Sequence, residues 1–242
     1  MPIASPHHRS ILKDIKSNSG APTQHTFLDS YLGNSHPRYA INNPTMRLIA
    51  KEWTKANRHL SSDEFAAVLT SLLAGKSGTE KMMAGMLLDY SARDQRQFDA
   101  ALFDGWLEEL EGWAEVDTLC TGPYTVTEIP PNFATWEKLL TRFAKSDNIQ
   151  KRRAALVLLC SPVSKTSDER LAKTALDLID RLKDEKAILI TKAISWLLRS
   201  MIKHHRSLVD EYVDANEDTL PRIAIRETRV KLDTGTKTRR TK

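Results

Sequence analysis

Three short stretches of this 242-residue chain bring together residue types that could do chemistry. The first is Glu111-Gly-Trp113-Ala-Glu-Val-Asp117. On a helix Trp113 and Asp117 are i and i+4, so an indole and a carboxylate share one face. The simpler reading is a core tryptophan followed by a solvated aspartate, and burial tendencies alone favour it by roughly three to one. The second stretch, Ser146-Asp147-Asn148-Ile-Gln-Lys151-Arg152-Arg153, caps a helix with Asp147 or Asn148 and then loads its first turns with three cations. Cations oppose the dipole at a helix N-terminus, but the same place suits a phosphate. The alternative is that Lys151 and Arg152 are solvated and Arg153 pairs with a nearby acid. The third stretch runs from Ala187 to Lys203. There Ile190, Ile194, Leu197 and Met201 make an apolar stripe, and the same spacing two residues on selects Lys192, Trp196, Arg199 and Lys203. A tryptophan among three cations is costly to expose unless something flat or anionic lies against it. Otherwise Trp196 merely widens the buried stripe.

The elements that must position these residues read as helices almost throughout. An early piece spans Ile11 to Ile15, a flexible connection follows to residue 22, and Thr26 to Leu32 reads as a short helix. Asn43-Pro44 starts a helix, with asparagine as cap and proline in the first turn. Ser61-Ser62-Asp63-Glu64 starts another, with Phe65, Val68, Leu69 and Leu72 inward. Met82, Met83, Met86 and Leu87 are core packing within a segment from Glu80 to Tyr90. Helices over Gln97–Leu110 and Trp113–Cys120 follow, and the Pro/Thr-rich 121–131 segment reads as irregular chain. Beyond it helices pair: Phe133–Lys145 with Asn148–Cys160, Ser167–Leu182 with Glu185–His205, and Leu208–Ala215 with Thr219–Leu232. Amphipathic pairs recurring roughly every 35 to 40 residues mark an α-solenoid of HEAT type. The fold class is all-α. A repeat domain over 23–233 is expected, preceded by a partly flexible segment 1–22 and followed by a disordered basic tail 234–242.

Composition bounds the function. Residues 136–242 hold 24 Lys/Arg against 15 Asp/Glu, a net +9, whereas residues 1–135 hold 12 against 16, a net −4. That asymmetry points to a polyanion-binding surface in the C-terminal half. No apolar run approaches the roughly 18 residues of a membrane span, and the first residues lack a signal peptide's apolar core. Cys120 and Cys160 stand without CxxC or ligand-spaced histidines, so they read as reduced thiols of a cytoplasmic protein. His204 and His205 point to different helix faces, and no metal site is expected.

The chain resembles the AlkD-like DNA alkylation-repair glycosylases. The resemblance rests on Trp-x-x-x-Asp (Trp113 to Asp117), on Ser-Asp-Asn-Ile-x-x-x-Arg-Ala-Ala (Ser146 to Ala155) and on Ile-x-Lys-Ala-Ile-x-Trp-x-Leu-Arg (Ile190 to Arg199), in the family's order. Weaker similarity extends from about Tyr31 to Lys231. It implies a single HEAT-like solenoid with a concave basic DNA-binding cleft. Trp113 and Trp196 would contact the deoxyribose of the damaged nucleotide, and Asp117 would be the catalytic carboxylate. Arg153 and Arg199 would hold the DNA backbone, and Tyr31 would match a further cleft aromatic. The sequence departs from the family at Gly112 and Gln150, where aromatics are common, and at 121–131, which is usually more helical. Lys151, Arg152, Lys192 and Lys203 lie beside the matched arginines and are expected to add phosphate contacts.

The expected reaction is hydrolysis of the N-glycosidic bond of N3- or N7-alkylated purines in duplex DNA. Alkylation makes the base cationic, so no general acid is needed, and neither cofactor nor metal is required. A monomer is expected, with duplex DNA as its partner. Two rivals remain: a non-catalytic HEAT-type module that binds or senses damaged DNA, and a protein-binding solenoid. The basic, aromatic character of the Trp196 face disfavours the second, and retention of Asp117 with both indoles disfavours the first.

Overall fold

A computed structural model of the chain describes residues 5–23 and 33–237. These form two compact units, 1–120 and 121–242, a division that falls inside the span read from the sequence as one domain. Most of the described backbone is helical. A two-residue antiparallel pairing, β1 (Pro22–Thr23) with β2 (Arg38–Tyr39), matches Pro22 to Tyr39 and Thr23 to Arg38. The sequence-expected helix at Thr26–Leu32 lies outside the described residues.

In the N-terminal unit, α1 (Pro6–Ser17) is capped by the Ser5 hydroxyl, which accepts the His8 N–H, with proline at its start. Helix α2 (Asn43–Ala56) is capped one residue earlier than expected, by Asn42 on the Thr45 N–H. Helices α3 (Ser62–Leu73) and α4 (Gly78–Tyr90) both open with complete capping boxes, Ser61 with Glu64 and Ser77 with Glu80. Phe65, Val68, Leu69 and Leu72 are buried as the spacing requires. Met83, Met86 and Leu87 are buried on α4, and Met82 is half-buried. The helix expected over 97–110 is shorter: α5 spans Leu102–Glu108. The Asp99 carboxylate accepts the Ala101 N–H at 2.8 Å, holding the chain in a turn until Leu102. Helix α6 (Gly112–Cys120) closes the unit, and α4 is its hub, lying against α2, α3 and α6.

The C-terminal unit corrects the reading of 121–131. Its chain is not irregular but contains a six-residue helix, α7 (Pro123–Glu128). Gly122 adopts a left-handed φ of 100° and Pro123 supplies the first helical position, so the residues that suggested a loop are start signals. Tyr124 and Ile129 anchor the turn in the core. Helix α8 (Phe133–Ala144) precedes α9 (Ile149–Lys165), which runs five residues beyond the expected end through Pro162. Ala154 to Cys160 are all buried, and α9 is the unit's central helix, packed by α7, α8, α10 (Glu169–Leu182) and α11 (Ile188–Ala215). The two helices expected around 185–215 form the single element α11, broken at His205, whose φ of −132° and ψ of 42° are non-helical. Helix α12 (Arg222–Thr234) packs on α11 and ends at Gly235 in the left-handed conformation. Successive helices packed in this way are compatible with a helical-repeat solenoid.

Candidate nucleic-acid interface

Of the five tryptophans, Trp53, Trp106 and Trp136 are buried, whereas Trp113 leaves 42% of its surface open on α6. The reading of Trp113 as a core residue is therefore excluded. Asp117, one turn on, is half-buried. The inner face of α6 is Glu115, Val116, Leu119 and Cys120, all buried, which turns Trp113 and Asp117 away from the core. Two glycines set the helix in place. Gly112 takes a φ of 66°, a left-handed start that an aromatic would strain. Gly85 on α4 lies so close that a Cβ there would fall on the Thr118 carbonyl group.

On α11 the apolar stripe is buried as expected: Ile190, Ile194, Leu197 and Met201. The other stripe reaches the surface, with Lys192 and Lys203 exposed and Trp196 and Arg199 half-buried. Arg199 is held from below. Its Nε lies 3.3 Å from the Ser195 hydroxyl and its Nη2 3.4 Å from the Glu227 carboxylate of α12, which also accepts from Ser195 at 2.7 Å. Burial pushes the Arg199 guanidinium below its ordinary pKa, and Glu227 opposes that push.

The start of α9 behaves differently from the phosphate cradle that its sequence suggests. Lys151 and Arg153 are buried. Arg153 donates to the Leu189 carbonyl in the first turn of α11. Arg152 forks onto Glu185, Nε to Oε1 at 2.7 Å and Nη2 to Oε2 at 3.2 Å, and its Nη1 donates to the Ser146 and Asp147 carbonyls at 2.7 and 2.9 Å. Arg152 and Arg153 tie the 146–148 turn and the α9 start to the chain entering α11. A phosphate reaching Arg152 must displace Glu185. The simpler reading leaves Lys151 and Arg152 solvated, whereas Lys151 is buried and Arg152 is paired with Glu185. Tyr31 lies outside the described residues.

The model of a family described as DNA alkylation repair enzyme matches residues 11–232, nearly the whole chain and all three motif stretches. The chain belongs to that family. A solved structure of a predicted DNA alkylation repair enzyme from Enterococcus faecalis superposes with a TM-score of 0.64. It is 19% identical in sequence, over 78% of this chain and 84% of that one, a likeness that speaks for the fold. No curated protein matches.

Within the DNA alkylation repair enzyme family frame, the exposed residues are Trp113 in one unit and Lys192 and Lys203 in the other, with Asp117, Trp196 and Arg199 half-buried. Spacing alone missed the groups that seat them: Glu227 beneath Arg199, and a cluster of Glu111, Glu115 and His36 beneath α6. His36 and Glu115 stand 79 residues apart, beyond the reach of any periodicity. Among the described residues no group of three or more His, Cys, Asp or Glu is placed to hold a metal ion, and no helix is long and apolar enough to cross a membrane.

Proposed function

We propose that the protein is a monofunctional DNA glycosylase that releases N3- or N7-alkylated purines from duplex DNA. The observation that carries the reading is the open indole of Trp113 one turn before Asp117, on a helix whose other side is fully engaged in the core. In the proposed step, water adds to C1′ of the deoxyribose as the C1′–N bond breaks. The bonding pair passes to the base, neutralising its positive ring. Asp117 orients the water, takes its proton and faces the positive charge that grows on the sugar. Trp113 lays its face toward that charge, an attraction worth ~0.5–2 kcal/mol that strengthens toward the transition state. Lys192, Lys203 and Arg199 attract phosphates. The leaving base is already cationic, so a carboxylate with an indole beside it matches this substrate class and would not serve a neutral base.

Base release tests the reading. Wild-type protein incubated with methylated duplex should liberate free methylpurine, and Asp117→Asn should slow single-turnover release by on the order of 10²–10³-fold while binding duplex equally well. Salt-sensitive duplex binding without any base release would instead make the protein a DNA-binding module.

A further inference from the structure

Helix α6 is short, and its two outward residues do chemistry only if its rotation about its own axis is fixed. Glu115 lies two residues from both Trp113 and Asp117, which puts it about 200° around the helix from the first, on the opposite side. It is completely buried. Its two carboxylate oxygens sit 3.0 and 3.1 Å from Nδ1 of His36, and Oε2 accepts the Glu111 N–H at 2.8 Å. His36 also turns its Nε2 toward Glu111, 3.8 Å from Oε1. The Glu111 carboxylate in turn accepts the Ser35 N–H at 2.8 Å and the Ser35 hydroxyl. The start of α4 closes the socket. The Gly78 N–H donates to the Pro37 carbonyl at 3.0 Å, and a Cβ on Gly78 would stand 2.6 Å from Glu115 Oε1, so only glycine leaves room for the carboxylate. Beneath lies Lys81, buried, with its ammonium on the Leu73 carbonyl at 2.5 Å. Among the charges that attract that ammonium, Glu115 is the foremost.

A buried carboxylate is a poor way to gain stability, since a well-packed apolar side chain at such a place is commonly neutral or better. Its use is register. Val116 and Leu119 would keep α6 against the core over a range of rotations, whereas a carboxylate that must meet His36 and the Glu111 amide together accepts one. We propose that Glu115, seated by His36, is the positioning residue of the reaction: a buried peg that sets the rotation of α6 and so aims Trp113 and Asp117. This rests on the glycosylase reading of those two residues. Misaim of reacting groups by about 1 Å can cost on the order of 100-fold in rate.

The full chain, labelled with fluorotryptophan, tests this by fluorine NMR, with the Trp113 resonance assigned through Trp113→Phe. In Glu115→Ala the Trp113 signal should move or broaden while those of the core residues Trp53 and Trp106 stay put. Single-turnover base release should fall by on the order of 100-fold, with duplex affinity held within about threefold. Glu115→Gln, which keeps an oxygen for the Glu111 amide and His36, should recover most of both. Should Glu115→Ala fail to fold, Gly78→Ala and His36→Gln disturb the same socket and are read in the same two ways. An unmoved Trp113 signal with near wild-type release in these variants overturns the peg. Failure of the glycosylase reading shows itself elsewhere, as absence of base release by the wild type, and the Trp113 signal then still tells whether Glu115 sets the helix.

Discussion

Two acids on α4 are treated in opposite ways. Burial pushes Glu80 upward, but hydrogen bonds from His8 at 2.8 Å and from Ser77 outweigh it and hold the carboxyl below its ordinary value. Asp89, at the far end of the same helix, has no such shell. Its nearest cation, Arg47, stands 3.7 Å away and is half exposed, and its Oδ1 is buried without a hydrogen-bond partner. Burial therefore lifts its pKa from 3.8 to about 6. The sign follows from proton counting. Between pH 3.8 and about 6 the native state keeps a proton that the unfolded chain has released, so this group makes stability fall as pH rises through that window. Above it the full cost persists. Asp89→Asn should then be more stable than wild type at pH 7.5 by about 3 kcal/mol, with the difference fading toward pH 4. Urea midpoints at several pH values measure it, and a gap that does not change with pH rules the argument out. Glu80 contributes in the opposite sense, its support being lost on acidification.

At the scale of elements, two N-terminal helices were legible from their start signals, Ser61 with Glu64 and the Asn43–Pro44 pair that opens α2, whereas the Ser77–Glu80 box that starts α4 went unread. Segment 121–131 was misread because glycine and proline are ambiguous until the backbone is known: at a φ of 100° Gly122 ends one path and Pro123 begins another. Periodicity placed Trp113 and Asp117 on one face, but it could not say which face was open, and burial tendencies pointed the wrong way. The three cations of α9 were equally opaque, since spacing fixes where an arginine leaves the helix and not where its long side chain ends. What seats α6 against α4 is Gly85, and it allows a paired prediction. Gly85→Ala should destabilise by about 1–3 kcal/mol through overpacking against the Thr118 carbonyl and should slow base release further by shifting α6. Gly105→Ala, in α5 with open space where the methyl would go, should stabilise by about 0.5–1 kcal/mol. Thermal unfolding of both variants checks the pair, and equal effects would mean that the close approach of α4 and α6 does not matter.

For the molecule as a whole, the net +9 over residues 136–242 suggested a polyanion surface, yet charge counted along a sequence is not charge offered to solvent. Arg152 is neutralised by Glu185, Arg153 ends on a backbone carbonyl, and Arg229 is shared between Asp214 at 3.0 Å and Glu217 at 3.4 Å. Exposed Lys192 and Lys203 keep their charge toward solvent on the stripe that carries Trp196. Counterion release makes this distinction measurable, because each phosphate neutralised by a protein cation adds about 0.9 to the slope of log affinity against log salt on duplex DNA. Lys192→Ala and Lys203→Ala should each flatten that slope by about one unit and leave thermal stability nearly untouched. Arg152→Ala should do the reverse: it leaves the slope in place while lowering stability, because it strips two carbonyls and Glu185 of their donor. Binding isotherms at four salt concentrations, set beside the unfolding temperature of each variant, separate the two kinds of cation. A slope that flattens with Arg152 and not with Lys192 or Lys203 would return the phosphate grip to the start of α9. In that case Glu185 acts as a stand-in for the phosphate until DNA arrives.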